Sequence, residues 1–218
     1  MNKLEIDSVE LAYGSRSILK DIYLSCQTAE IVGLTGRNGS GKSSLMKVIF
    51  GSLKGDSQSV RINGEYVNRL FEINEAVHYM PQDGFCMQYL SFDQLTKLFD
   101  VRERLELLLS HKEIANNRKT KLRDLSTGMR KFIEVMIIIN AKAKFCILDE
   151  PFSFLSPVMS EVIMNTIREI SPHKGFLVTD HMFDNIWRLC TKHYLLYSGS
   201  LRQITDPSQL EDYGYTIN

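Results

Sequence analysis

One stretch restricts the fold of this chain more than any other: Gly36-Arg37-Asn38-Gly39-Ser40-Gly41-Lys42-Ser43, entered from Glu30-Ile31-Val32-Gly33-Leu34-Thr35 and followed by Ser44-Leu45-Met46-Lys47-Val48-Ile49-Phe50-Gly51. The upstream run reads as a short buried strand. Downstream, Leu45, Val48 and Ile49 recur at helical spacing until Gly51 ends the pattern. A strand, a glycine loop and a helix form the setting of a phosphate-binding loop. The glycines let the backbone turn tightly, so that successive N–H groups converge on phosphate oxygens at the positive end of the helix. In such a loop Lys42 reaches the β- and γ-phosphates of a nucleoside triphosphate and the Ser43 hydroxyl ligates Mg²⁺. A chance match in a chain of 218 residues is about one in a hundred at ordinary residue usage, so a glycine-rich surface turn is the weaker alternative.

That length suits one large domain, or one domain carrying an inserted lobe. The 26 basic and 26 acidic side chains balance, so no global field recruits nucleic acid. Cys26, Cys86, Cys146 and Cys190 are far apart in sequence, with no CxxC pair, and read as reduced, mostly buried thiols. Met1-Asn2-Lys3-Leu4-Glu5 has no apolar run behind it and is not expected to be a signal peptide. The most apolar segment, Val135 to Ile139, is far too short to span a bilayer. A membrane role would have to come through a partner.

Leu4 to Ile6 and Val9 to Tyr13 alternate apolar and polar positions, Gly14-Ser15 makes a turn, and Ile18 to Cys26 reads as a second strand, so a small antiparallel sheet leads into the loop strand. Tyr13, just before the turn, is either a flat face for a nucleotide base or an ordinary strand aromatic. Ser59 to Val67, with Asn63-Gly64 at its centre, reads as a hairpin. Val77 to Met80 is a further strand ending at Pro81-Gln82. From Asp83 to about Lys121 strand signals fade and helix formers dominate, as in Leu95 to Leu109, so an inserted helical lobe is expected. Between Lys112 and Lys131 seven basic residues face two acidic ones, which reads either as a solvated face or as a contact for anions or partners.

Lys144 to Leu148 is a continuous apolar run of the kind a strand buried on both faces shows, and it ends in Asp149-Glu150. Ser156-Pro157 supplies an N-cap and a first-turn proline, after which Val158, Val162, Ile163, Ile167 and Ile170 follow at helical spacing. Gly175 to Thr179 is another buried strand, ending at Asp180-His181. Phe183, Ile186, Trp187 and Cys190 then mark one helix face, with Trp187 expected in the core. Tyr197 to Leu201 reads as a last hairpin with no regulatory domain expected after it. Strands alternating with helices predict a parallel α/β sheet whose chemistry gathers at the strands' carboxyl ends.

Three such ends converge: the loop after Thr35, Asp149-Glu150 and His181. Adjacent carboxylates after an apolar strand are costly to bury unpaired, and Mg²⁺ resolves the difficulty. Asp149 would hold the ion directly or through water, leaving Glu150 to polarise an attacking water. His181 is placed to bond a γ-phosphate oxygen. Gln82 is an amide that can ligate Mg²⁺ or orient water while tying the inserted lobe to the site. Ser126 caps an amphipathic helix that begins Leu125-Ser126-Thr127-Gly128-Met129, which reads equally as an anion site or as an ordinary capped helix.

Taken in order, these pieces resemble the nucleotide-binding subunit of the ABC ATPases over nearly the whole chain. Tyr13 matches the aromatic A-loop, Gly36 to Ser43 Walker A, Gln82 the Q-loop, Leu125 to Met129 the signature, Phe145 to Glu150 Walker B with its glutamate, and His181 the switch histidine. The resemblance implies an α/β P-loop NTPase fold of ABC type: a parallel core sheet, an N-terminal antiparallel β subdomain and an inserted helical lobe. The implied division is a core lobe of 1–82 and 143–218 with a helical lobe of 83–142. It further implies ATP and Mg²⁺ as ligands. ATP would be bound by Tyr13, by Gly36, Arg37, Asn38, Gly39, Ser40, Gly41, Lys42, Ser43 and Ser44, and by Ser126 and Gly128 of a second subunit. Ser43, Gln82 and Asp149 would serve the metal, and Glu150, His181, Gln82 and Lys42 would serve hydrolysis. One cassette per chain implies a dimer, homo- or heterodimeric, beneath a transmembrane permease that contacts Gln82 to Phe99 at the cytoplasmic face of the membrane. Thr127, Met129 and Ser156 depart from the usual LSGGQ and SALD patterns, in elements that act across the dimer, so altered communication between subunits is expected. Two alternatives stand beside the transporter subunit: a soluble family member in cofactor assembly or translation, and a P-loop small-molecule kinase outside the family.

Overall fold

The computed structural model describes residues 1–84, 87–181 and 183–215. Strands β1 (Lys3–Tyr13) and β2 (Arg16–Gln27) pair antiparallel across the Gly14-Ser15 turn. The buried positions of β1 switch from Leu4 and Ile6 to Val9 and Leu11. Ser8, at φ 52°, is the cause: a bulge between Ile6 and Val9 shifts the register and moves the alternation by one residue. Strand β3 (Ile31–Thr35) and helix α1 (Lys42–Phe50) follow, then β4 (Ser57–Ile62) and β5 (Glu65–Tyr66). The β4–β5 turn has Asn63 at φ 54° and Gly64 at φ 87°, the left-handed pair an Asn-Gly hairpin needs. The first sheet has the order β2-β1-β4-β5.

The rest of the chain comprises β6 (Val77–Met80), α2 (Phe92–Leu98), α3 (Leu105–Ser110), α4 (Lys112–Asn117), α5 (Thr127–Asn140), β7 (Phe145–Asp149), α6 (Pro157–Ile170), β8 (Gly175–Thr179), α7 (Phe183–Leu189), β9 (Lys192–Tyr197) and β10 (Ser200–Ile204). The second sheet runs β10-β9-β3-β8-β7-β6, parallel throughout except for the antiparallel edge strand β10. Every residue of β3, β7 and β8 is buried, which is why those runs show no polar alternation. One face of this sheet, with Leu34 and Ile147, joins Leu45 and Ile49 of α1 to the small sheet's Leu4, Ile6 and Val60. The other face, with Met80, Cys146, Leu148 and Phe176, packs under α5, and through α5 reaches Phe92, Leu95 and Leu108 in a single apolar cluster.

The helix formers between Leu95 and Leu109 build two elements rather than one. Helix α2, opened by the Ser91/Gln94 capping box, stops at Leu98, and Asp100 at φ 48° turns the chain before α3 begins. Ser156 caps α6 by accepting from the Met159 N–H at 3.3 Å, as expected from Ser-Pro. The buried stripe of α6 contains Ile163 and Ile167, but Val158 is 69% exposed, while its neighbour Met159 is the first-turn side chain that packs against the core. Trp187 is only half-buried: it stacks on His193 at 4.0 Å and packs on the margin of a small apolar cluster of Leu195, Ile204 and Leu210, while Ile186, Leu189 and Cys190 form the fully buried contacts of this segment. The basic run is solvated at Lys112, Lys119, Lys121 and Arg123, and Arg118 pairs with Asp93 at 2.9 Å, but Lys131 is buried.

Cys26, Cys146 and Cys190 are buried free thiols. Burial pushes Cys26 and Cys146 up to about 12 and raises Cys190 as well, which keeps all three protonated and unreactive. Cys86, the fourth, lies outside the described residues. Among those residues no helix is long and apolar enough to cross a membrane.

The approach of Cys190 and α7 to the strand that carries the glycine loop depends on Gly33. A Cβ there would stand 2.5 Å from the Ile186 Cγ2 and 2.8 Å from the Cys190 Sγ. Gly33→Ala is therefore expected to destabilise the fold by about 1–3 kcal/mol through overpacking. Urea unfolding should show a lower midpoint with an unchanged slope; an unchanged midpoint would show that the α7 segment yields freely.

Candidate nucleotide site

The segment between Thr35 and Lys42 wraps back over the start of α1. Gly39 and Gly41 have φ 76° and 107°, a region L side chains rarely adopt, and a Cβ on Gly41 would stand 2.8 Å from the Ile18 Cγ2. A Cβ on Gly36 would meet the Leu196 carbonyl at 2.8 Å. No side chain caps the N-terminus of α1, so its first N–H groups remain available to an anion. Lys42 is buried inside the loop and its Nζ donates to the carbonyls of Gly36 at 2.7 Å and Arg37 at 3.2 Å. Burial lowers its pKa, opposed by the charges of Glu150, Asp149 and Asp180. The Ser40 hydroxyl is buried with no protein partner. An orphaned hydroxyl, uncapped N–H groups and a buried ammonium together match the oxygens of a polyphosphate.

A cavity of about 660 Å³ opens above this loop, lined by Tyr13, Asn38, Gly39, Gly41, Lys42, Ser43, Ser44, Gln82, Glu150 and His181, with Arg16 and Ile18 beside them. Four β-strand carboxyl ends, those of β1, β6, β7 and β8, bring Tyr13, Gln82, Glu150 and His181 to the glycine loop. Arg16 and Ile18 were missed on sequence. The signal for them was the tight turn: Tyr13 pairs with Arg16 across Gly14-Ser15, so the residue beside the exposed tyrosine is the first one past the turn.

Glu150 sits at φ 51°, a strained conformation for a residue with a side chain, of order 1–3 kcal/mol and concentrated at functional sites. Its backbone is pinned, its N–H donating toward both the carbonyl and the hydroxyl of Thr179. Its Oε2 accepts from the Gln82 Nε2 at 2.9 Å and from the Ser153 hydroxyl at 3.3 Å, and stands 3.6 Å from the His181 Nδ1. His181 is half exposed and also lies 3.5 Å from an Asp180 oxygen. Asp149 is buried beneath the cavity: Oδ1 accepts from Thr179 Oγ1 at 2.6 Å and Oδ2 from the Tyr79 hydroxyl at 3.4 Å. Burial, and then Asp149, push the Tyr79 pKa up, which keeps that donor protonated.

Of the expected residues, Gly36, Ser40 and Asp149 do not line the cavity, and Arg37, Ser126 and Gly128 are engaged elsewhere. The side chain of Arg37 turns away, donating to the Gly214 carbonyl at 3.1 Å with its guanidinium 5.7 Å from the Tyr215 ring centre. Ser126 caps α5 by accepting from the Met129 N–H at 3.2 Å. Gly128 packs where a Cβ would be 2.6 Å from the Phe154 carbonyl, so this chain's own packing already requires a glycine there. No group of three or more His, Cys, Asp or Glu suited to a metal occurs among the described residues. Ser43 and Gln82 nonetheless line the cavity and Asp149 lies behind it, a sparse oxygen set of the kind Mg²⁺ accepts when it keeps its own waters.

A parallel sheet with a glycine loop between its central strand and α1, and carboxylate and histidine side chains at neighbouring strand ends, defines a P-loop nucleotide-binding protein. A family model described as ABC transporter matches residues 19–153, more than half of the chain. The chain belongs to the ABC transporter family, as an ATP-binding, ATP-hydrolysing subunit. It is 27% identical over 224 residues to the lipopolysaccharide export system ATP-binding protein LptB of Haemophilus influenzae, covering 96% of this chain and 93% of that one. To the ABC transporter ATP-binding protein YtrB of Bacillus subtilis it is 28% identical over 219 residues, covering 96% and 74%. Among solved structures, an ATP-binding subunit of an ABC transporter superposes with a TM-score of 0.84 at 22% identity over 97% of this chain and 93% of its own. A bacterial Atm1-family ABC exporter with ATP bound gives 0.82 at 19% over 97% of this chain, which spans 40% of that protein.

Proposed function

We propose that this subunit hydrolyses Mg²⁺–ATP with Glu150 as general base and drives a transporter by closing against a second ATP-binding subunit. The convergence of Gln82, Ser153 and His181 on one Glu150 oxygen, across the cavity from Lys42, is the observation that carries the reading. Mg²⁺ neutralises phosphate charge and would be held by Ser43, Gln82 and Asp149. With both Asp149 oxygens accepting from hydroxyls, that residue serves through water. Tyr13, exposed on the cavity rim, stacks on the base. The N–H groups of Gly36 to Ser44 and the Lys42 ammonium orient the phosphates. Gln82 and Ser153 hold the carboxylate so that its free oxygen accepts a proton from the attacking water, and His181 donates to the γ-phosphate oxygen on the same side. Arg37 acts through its backbone alone.

Ser126 and Gly128 lie outside the cavity of their own chain, which agrees with a role on the nucleotide of the partner subunit. Residues 1–82 and 143–218 make up the core lobe and 83–142 the helical lobe. Between Gln82 and Phe99 the exposed Met87, Tyr89 and Leu98 offer apolar surface to a permease, and this supports a position for the subunit at the cytoplasmic face of a membrane. Phe85 and Cys86 of that span lie outside the described residues. Thr127, Met129 and Ser156 alter the communication between subunits or slow their closure. An affinity-tagged chain is expected to co-purify with an integral membrane protein from detergent-solubilised membranes of its source. Recovery of the chain with no membrane-spanning partner would contradict the transporter assignment.

A further inference from the structure

Five charged side chains, those of Lys131, Glu134, Asp149, Glu150 and Asp180, are buried near one another where α5 meets the strand ends. Lys131 closes the basic run and is 5% exposed. A buried ammonium is unfavourable unless it is paired, and the apolar neighbours Phe132 and Ile133 fill the core face of α5 without it. Its Nζ donates to the Gln82 main-chain carbonyl at 2.9 Å. Burial lowers its pKa, opposed by Glu134, Asp149, Glu150 and Asp180 around it. One turn further along α5, the Glu134 carboxylate occupies the space beside Gly84, where a Cβ would stand 2.5 Å from Oε2, and Gly84 has φ +80°. The segment 82–84 is therefore bonded to α5 at Gln82 and packed against it at Gly84. From the bonded residue, the Gln82 side chain donates to Glu150 Oε2 at 2.9 Å.

We propose that Lys131 is a positioning residue that transmits the placement of α5 through the Gln82 main chain to the Glu150 carboxylate. The proposal deepens the reading of Glu150 as base and rests on it. Helix α5 begins directly after Ser126, at the surface assigned to the partner's nucleotide, so a contact made there is relayed to the base of the same chain. Each subunit then senses the occupancy of its partner's site through one ammonium. The relay is two hydrogen bonds long, from the Lys131 ammonium to the Gln82 carbonyl and from the Gln82 amide to the Oε2 of the base, Glu150.

Lys131→Met removes the ammonium and keeps the stem; Lys131→Arg restores donors. In the nucleotide-free protein, Lys131→Met is expected to raise amide hydrogen exchange across residues 80–84 about tenfold, with Lys131→Arg close to wild type. In turnover, kcat falls about tenfold while KM and the affinity for a fluorescent ATP analogue change less than twofold, the pattern of a lost transition-state interaction. Wild-type exchange and kcat in Lys131→Met would overturn the relay. So would a loss of kcat that comes with lost binding, a lowered Tm and no rescue by arginine, because that is a folding defect. A Glu150→Gln chain that keeps its turnover sinks the base itself, whereas an inactive Glu150→Gln beside a fully active Lys131→Met sinks only the relay.

Discussion

Glu150→Gln lowers maximal ATP turnover by about 10²- to 10⁴-fold, the range that a positioned general base contributes, while ATP binding stays within a few-fold of wild type. The amide has nearly the shape of the carboxylate and can still accept from the Gln82 Nε2 and Ser153 hydroxyl that hold Oε2. What it loses is basicity at the oxygen facing the cavity. Because Glu150 holds its left-handed φ through backbone bonds to Thr179 rather than through its carboxylate, the substitution leaves the local fold in place. Steady-state phosphate release gives kcat, and a fluorescent ATP analogue gives the affinity. Turnover unchanged from wild type would remove Glu150 from the chemistry.

Lys42→Met acts on the earlier step, and its expected effect is on binding. A charge-assisted hydrogen bond contributes about 1.5–3 kcal/mol, and two phosphate contacts at the low end amount to about 3 kcal/mol, which is a Kd raised about 100-fold. In the structure the ammonium bonds the Gly36 and Arg37 carbonyls of its own loop, so it must leave two protein acceptors to serve a ligand. That exchange is favourable only because phosphate charge is greater than carbonyl partial charge, and because Glu150, Asp149 and Asp180 keep the lysine protonated against burial. Equilibrium titration of the variant with ATP and Mg²⁺ checks the prediction. A Kd within threefold of wild type would show that the backbone cradle alone holds the phosphates. The Tm of the unliganded variant distinguishes a loosened loop from a lost ligand contact.

The strand and helix boundaries around the glycine loop were legible because each local signal agreed with the tertiary demand on it. An apolar run ended where a fully buried strand ended at Leu148 and Asp149, and Ser156-Pro157 opened a helix that the packing also required. Local signals failed where two elements had to share one surface. Trp187 has the right spacing for the buried face of α7, but its ring stacks on His193 and only borders the cluster of Leu195, Ile204 and Leu210, while Cys190 and Ile186 occupy the approach to Gly33. Lys131 looked like one more solvated lysine, because nothing within ten residues of it announces that the carbonyl of Gln82, 49 positions earlier, will lie 2.9 Å from its nitrogen.

By itself the order of residues determined the loop, the strand ends that carry Gln82, Glu150 and His181, and the kind of ligand such a loop accepts. These depend on contacts a few positions apart, on φ values only glycine tolerates, and on runs long enough to be read as strands. The tertiary structure alone decided which of those groups touch: that Glu150 shares one oxygen among Gln82, Ser153 and His181, that Arg37 turns toward Gly214, and that Gly128 is needed against Phe154. Such pairings join residues that are brought together only when helices and strands from distant parts of the chain pack to bury their apolar faces, and the polar side chains at the seams then bond to whatever that packing sets beside them.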